Sequence, residues 1–176
     1  MKTILEGIQL ELTIERLAYQ ILEENPVADD TVFIGIQPRG TLFSDRLVPV
    51  LSRLYGKPVA YGQLDITFYR DDINTKLHLP NQTRINFSID QKNVVLIDDV
   101  LYTGRTIRSA MDALIDFGRP RKVELCVLID RRFNRELPIQ PDFTGRTIDT
   151  IFSQRVVVNW RPAQLKDEVL LVNSEA

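Results

Sequence analysis

Val94-Val95-Leu96-Ile97-Asp98-Asp99-Val100-Leu101-Tyr102-Thr103-Gly104-Arg105-Thr106 decides how this chain folds. Four consecutive apolar residues, Val94 to Ile97, predict a strand buried on both faces, ending where Asp98 and Asp99 set two carboxylates side by side. Tyr102 to Thr106 reads as a short turn, and Ile107, Ala110, Met111 and Leu114 recur at helical spacing beyond it. Such a strand, acid pair, glycine turn and helix leave backbone N–H groups free at the helix N-terminus, a ready anion site. The paired acids lie one turn away, placed to accept hydrogen bonds from vicinal hydroxyls. A sugar phosphate carries both groups at about that separation, so the segment is expected to cradle ribose 5-phosphate.

The acid pair alone does not discriminate, because a parallel α/β domain can end a strand in Asp for structural reasons or for a metal. Thr-Gly-x-Thr at the right distance, before a periodic helix, selects phosphoribosyl binding. No Gly-Lys-Ser/Thr follows a glycine-rich run and no Gly-x-Gly-x-x-Gly occurs, which excludes a Walker loop and a dinucleotide turn. The segment resembles the phosphoribosyl pyrophosphate motif of type I phosphoribosyltransferases.

On either side, strands and helices alternate. Ile8, Leu12, Leu17, Ile21 and Leu22 predict an amphipathic helix over residues 8–24, and residues 31–37 a short buried strand. Pro38-Arg39-Gly40 forms a turn, residues 41–55 a second helix stopped by Gly56 despite Pro49, and residues 58–65 another strand. Residues 71–90 are polar and weakly periodic, and a loop of that length in a compact domain is more often functional than idle. Residues 122–129 predict a strand ending in Asp130-Arg131, and residues 156–159 and 169–172 two more. The pattern predicts an α/β fold: one domain over residues 1–176, with a mainly parallel sheet flanked by helices. Ligands bind beyond the strand C-termini of such a sheet, so the turns at 38–40, 98–106 and 130–131 are expected to share one site.

Composition narrows the class. With 44% apolar and 26% charged residues the chain is globular, and no run approaches a membrane span. Met1-Lys2-Thr3 opens no signal-peptide apolar core, and the single Cys126 sits in a strand, so a cytoplasmic protein with no membrane partner is expected. The net charge of −2 is uneven: seven acids against Lys2 and Arg16 in residues 1–30, eight basic residues against four acids in residues 105–135. The basic excess serves phosphate binding or solvated surface and does not establish a nucleic-acid partner. His78 has no second ligand at metal-site spacing, and no protein-held metal is expected. Trp160 and Phe143 read as core or subunit-contact residues.

Further segments carry a more specific likeness. Asp65-Ile66-Thr67-Phe68-Tyr69-Arg70-Asp71-Asp72, Asp98 to Thr106, Met111-Asp112-Ala113-Leu114, Gly118-Arg119-Pro120 and Arg135-Glu136-Leu137-Pro138-Ile139 resemble the pyrimidine operon regulators that double as uracil phosphoribosyltransferases, the PyrR type. The likeness spans residues 31–158. It implies a type I phosphoribosyltransferase fold with a small hood over the base and a flexible active-site loop near 71–90. It implies transfer from phosphoribosyl pyrophosphate to uracil, giving UMP and pyrophosphate, with Mg²⁺ carried by the pyrophosphate donor, in a homodimer or higher homo-oligomer. By the same likeness Arg39 and Gly40 would bind pyrophosphate, and Asp98 and Asp99 the ribose hydroxyls as catalytic residues. Thr103, Gly104, Arg105 and Thr106 would hold the 5′-phosphate, with Val100, Leu101 and Tyr102 completing the motif. Arg131 and the neighbourhood of Val156 would border the base. Arg70, as a further catalytic residue, and Arg84 would close over pyrophosphate.

Three departures bear on function. In related 6-oxopurine enzymes an Asp typically precedes Thr-Gly; here Tyr102 stands there, a poor base, which argues against hypoxanthine or guanine and fits uracil, although Tyr102 serves equally as a packing residue and a purine or xanthine phosphoribosyltransferase stays open as a further reading. The family's Asp-Arg-Gly-His-Arg-Glu-Leu turn becomes Asp130-Arg131-Arg132-Phe133-Asn134-Arg135-Glu136-Leu137, without the Gly and one residue longer. Thr147-Ile148-Asp149-Thr150 replaces a more basic segment. The competing reading is a UMP-sensing RNA-binding attenuator with secondary catalysis. Such regulators bind RNA partly through the first helix, which here is acidic with Arg16 alone, so RNA binding is expected to be weak or absent.

Overall fold

Val32 to Ile36, Val94 to Ile97 and Leu125 to Ile129 are runs without a charged residue, and each is fully buried in a strand. The computed structural model describes residues 1–71, 82–151 and 153–173, so His78 and residues 72–81 of the expected loop lie outside the described residues. The elements are β1 (Lys2–Glu6), α1 (Gly7–Glu24), β2 (Thr31–Ile36), α2 (Arg39–Tyr55), β3 (Ala60–Leu64), β4 (Asn93–Leu101), α3 (Arg105–Leu114), β5 (Lys122–Arg132), β6 (Phe143–Asp149), β7 (Gln154–Asn159) and β8 (Glu168–Asn173).

Five strands form one parallel sheet in the order β3-β2-β4-β5-β6. Alternation along β4 divides the core. Val95 and Ile97 pack with Leu17, Ile21, Phe43 and Leu47 beneath α1 and α2. Val94 and Leu96 pack with Ile107, Ala110, Ala113 and Leu114 beneath α3. Helices thus cover both faces, as an all-parallel sheet requires. A second, antiparallel sheet of three strands, β1-β8-β7, joins the chain's beginning to its end. Phe143 and Trp160 are both core residues, and Trp160 stacks on Phe43 with centroids 6.3 Å apart.

Two expectations need correction. The motif strand does not end at the acids: β4 runs on through Leu101. Its pairing with β2 stops at Gly35–Ile97, while pairing with β5 continues to Leu101–Asp130. Asp98 and Asp99 therefore stand where β4 loses one neighbour and keeps the other. Likewise Asp130-Arg131 is not a turn but the paired end of β5, opposite Thr147 and Ile148 of β6. The strands β1 and β6 were not expected. β6 is an edge strand whose middle is half-buried or exposed, and it lacks an apolar run.

Candidate functional site

The site grows from the end of β4. Gly40, in the first turn of α2, lies against that strand so closely that a Cβ there would sit 2.4 Å from the Ile97 carbonyl oxygen and 3.1 Å from the Asp98 Cα. Only glycine lets the helix start this near the acids. Asp98 and Asp99 are 7% and 4% exposed. Asp98 Oδ1 accepts the Asp99 backbone N–H at 2.9 Å, and Asp99 Oδ2 accepts from Arg39 Nε at 2.7 Å. Burial pushes the Asp98 carboxyl well above the usual carboxylate range, and the neighbouring Asp99 charge adds to it. Burial also raises Asp99, but the Arg39 guanidinium opposes the shift.

Beyond Leu101 the chain turns at Gly104, whose φ of +94° is a left-handed conformation that a side chain resists. The Arg105 N–H, at the start of α3, reaches Thr103 Oγ1 at 3.3 Å. The Thr103 carbonyl accepts from Glu136 N–H at 3.0 Å and Leu137 N–H at 3.2 Å, which fastens the 136–139 segment against the turn. A cavity of about 280 Å³ opens between Asp98 and the helix start. Its walls are Asp98, the run from Val100 to Ile107, and Arg70. The structure thus brings the expected acid, glycine turn, helix N-terminus and Arg70 to one place.

The arginines are held by the protein's own groups. Arg39 pairs with Asp99 and donates from Nη2 to the Val158 carbonyl of β7 at 2.8 Å. Arg105 pairs with Asp71 at 2.7 Å and with Glu136 at 2.6 Å. Arg131 is 6% exposed, lies 3.9 Å above the Tyr102 ring centroid, and donates to Thr150 Oγ1 at 3.1 Å and the Gln154 carbonyl at 2.8 Å. Burial pulls its guanidinium below the ordinary arginine range, with Tyr102 opposing. Through Arg39 and Arg131, β7 is bonded to residues at the C-terminal edge of the large sheet, so the small sheet caps the site as a hood.

Two expected residues stand further off. Arg84 is exposed; its backbone pairs with Gln63, and it lines a separate cavity of about 270 Å³ with Gln37, Pro38, Thr41 and Gln82. Val156 packs half-buried against the core, and its neighbours Gln154 and Val158, rather than its own side chain, make the contacts to Arg131 and Arg39. Conversely, sequence reasoning assigned no role to Asp71, Asn134, Thr150 or Arg135. Arg135 donates to the Tyr102 carbonyl and to Asp130 Oδ1, bracing the turn from behind. The Arg135-Glu136 pair was legible as a motif, but its partners required the fold. Among the described residues no group of three or more His, Cys, Asp or Glu could hold a metal, and no helix is long and apolar enough to cross a membrane.

Residues 1–162 match the family model of the phosphoribosyl transferase domain. The chain is 45% identical over 159 residues to the bifunctional protein PyrR of Limosilactobacillus fermentum, covering 88% of each chain. It is 42% identical over 173 residues to that of Elusimicrobium minutum, covering 97% of this chain and 96% of the relative. Among solved structures it resembles a Trypanosoma cruzi hypoxanthine phosphoribosyltransferase with a TM-score of 0.74 at 18% identity, over 97% of this chain and 91% of that one. A Bacillus anthracis hypoxanthine-guanine phosphoribosyltransferase gives 0.70 at 19% identity over 98% of both chains. At such identities the structural likeness is one of fold, and the fold is the type I phosphoribosyltransferase fold expected from the motif.

Proposed function

The chain belongs to the phosphoribosyl transferase family, among the bifunctional PyrR proteins, and on that premise we propose that it transfers a phosphoribosyl group from phosphoribosyl pyrophosphate to uracil, releasing pyrophosphate and UMP. The chief support is the meeting, in one cavity, of the buried Asp98 carboxyl and the glycine-capped start of α3, with Asp99 next to it in the chain. Asp98 and Asp99 accept from the ribose hydroxyls, and the free N–H groups of α3 with Thr103 and Thr106 hold the 5′-phosphate. As the C1′ bond to pyrophosphate breaks, positive charge develops on the sugar, and two adjacent carboxylates stabilise it. Arg39 and Arg70 face the negative charge that builds on the leaving group. Arginine suits that task, since its planar fork grips phosphate at two points.

The acid pair also fits magnesium. Asp98 and Asp99 are both buried, Arg39 pairs with Asp99, and Mg²⁺ is commonly held by one or two carboxylates completed by substrate phosphates. Bound with the donor, the ion would supply charge neutralisation of the departing pyrophosphate, with Asp98 and Asp99 as its protein neighbours.

Uracil is favoured over a purine because Tyr102 occupies the position of the purine enzymes' acid, and its ring is engaged by Arg131. Assay of a panel of nucleobases with phosphoribosyl pyrophosphate and Mg²⁺ tests this. Uracil is expected to exceed hypoxanthine, guanine and xanthine by at least about 100-fold in kcat/KM; a purine as the best substrate overturns the reading.

We further propose that any regulation of pyrimidine genes does not run through strong RNA binding by α1. Its exposed face carries Ile8, Leu12 and Tyr19 among acids, and the guanidinium of Arg16 is turned onto the Thr144 and Gly145 carbonyls. Filter binding to a pyrimidine-operon leader RNA, with and without UMP, checks this. Submicromolar, UMP-enhanced binding at physiological salt contradicts it.

A further inference from the structure

The turn after β5 and the end of β6 are bonded to each other. Asn134, in that turn, is 8% exposed, and Thr150, directly after β6, is 6% exposed. Asn134 Nδ2 lies 3.1 Å from the Thr150 carbonyl, from Thr150 Oγ1 and from the Arg132 carbonyl. Thr150 Oγ1 in turn accepts from Arg131 Nε at 3.1 Å. The Arg131 guanidinium carbon lies 3.9 Å from the Tyr102 ring centroid, and Arg131 makes no ion pair among the described residues. Its charge is therefore buried among neutral acceptors: a hydroxyl, a carbonyl and an aromatic face. A buried guanidinium so held has few alternative positions, and each neutral acceptor removed costs it more than the same loss would in water.

The turn is shaped to make this possible. Phe133 adopts φ of +67°, a left-handed conformation that a bulky residue resists, and its side chain is 79% exposed. Phe133 stands outside while Asn134, the next residue, points in. The left-handed Phe133 directly precedes the residue bonded to Thr150, which sets the backbone strain next to this contact.

We propose that Asn134 and Thr150 are positioning residues of the base pocket: the Asn134 amide fixes Thr150, Thr150 fixes the Arg131 guanidinium on the Tyr102 ring, and this three-link chain sets the fit of the pyrimidine base. The inference rests on the uracil reading given above. A base rich in carbonyl oxygens on an easily ionised ring matches a guanidinium held only by neutral acceptors better than a base that must be helped to lose a proton.

Thr150→Val keeps the shape and deletes the acceptor; Thr150→Ser keeps the hydroxyl. Steady-state kinetics with both substrates, beside a thermal melt to confirm folding, separates the roles. Thr150→Val is expected to raise KM for uracil about tenfold or more, as loss of a hydrogen bond to a charged group does, while KM for phosphoribosyl pyrophosphate moves less than about twofold. Thr150→Ser is expected to restore the uracil KM to within about threefold, and Asn134→Ala to fall between. A folded Thr150→Val with unchanged uracil KM, or one in which both KM values rise together without rescue by Ser, overturns the positioning role. A wild-type protein that forms no UMP from uracil overturns the uracil reading itself, and the two failures are told apart by that control.

Discussion

Arg39 donates to the Asp99 carboxylate at 2.7 Å with Nε and to the Val158 carbonyl at 2.8 Å with Nη2. One guanidinium thereby ties the acid pair of β4 to the small sheet above it. Asp99 serves as the counter-ion of an arginine that the proposed reaction needs for pyrophosphate, so donor binding must re-partition that arginine between the two.

Arg39→Ala removes the cation that pairs with the Asp99 carboxylate, which is 4% exposed in the wild type. Removing one member of a fully buried pair costs about 3–5 kcal/mol, and the half-exposed Arg39 side brings the expectation here to about 2 kcal/mol. Urea denaturation measures it, and adding Asp99→Asn is expected to recover most of the loss. An Arg39→Ala protein as stable as wild type contradicts the ion pair.

Asp98 gives a prediction of opposite sign. Burial, and then the Asp99 charge, hold its carboxyl well above the ordinary value it has in an unfolded chain, so the folded chain keeps the proton more tightly than the unfolded chain does. Ionising Asp98 costs the fold nothing below that unfolded value and progressively more as pH rises through the folded one. Asp98→Asn is therefore expected to stabilise the protein at neutral pH by about 1 kcal/mol, or about 2–4 °C in Tm, with the gain fading on acidification. Thermal melts across pH test it; a gain that grows toward acid pH contradicts the assignment.

Gly40→Ala forces a methyl group to within 2.4 Å of the Ile97 carbonyl oxygen. The first turn of α2 must then lift from β4, carrying Arg39 away from Asp99. Overpacking of this kind costs about 1–3 kcal/mol, and the donor's KM is expected to rise more than the base's. Equal kinetics in a folded Gly40→Ala protein rule out the close approach as a requirement.

Asp71 bridges Arg105 and Arg108 at 2.7 and 3.1 Å beside the proposed phosphate cradle. Asp71→Asn removes an internal competitor for those cations. Affinity for ribose 5-phosphate is expected to rise about threefold at low salt and to converge with wild type at high salt, because these side chains are well exposed. Calorimetry at two ionic strengths measures it.

Much of the fold was legible because it rests on unambiguous patterns. Val94 to Ile97 read as a doubly buried strand, and the alternation of such runs with amphipathic helices required a parallel sheet. The strands β1 and β6 escaped notice since their burial comes from pairing and from one face, which leaves no apolar run to see. Likewise the acids looked like a strand terminus, because sequence shows where apolar residues stop and not where a neighbouring strand stops. In the site, Asp98 and the glycine turn were evident from residue type and spacing. The polar partners were not: the ion pair of Asp71 with Arg105 and the hydrogen bond of Asn134 to Thr150 join residues that are apart in sequence and meet only through tertiary packing.

The account depends on the acid pair and the glycine turn gripping one sugar phosphate. Calorimetric titration of phosphoribosyl pyrophosphate with Mg²⁺ into the wild type and the Asp98→Asn/Asp99→Asn double variant tests that grip. The wild type is expected to bind one equivalent, and the folded double variant to bind at least about 100-fold more weakly, as loss of two charged hydrogen-bond acceptors implies. Equal affinity in the two proteins, or no uptake by the wild type, contradicts it.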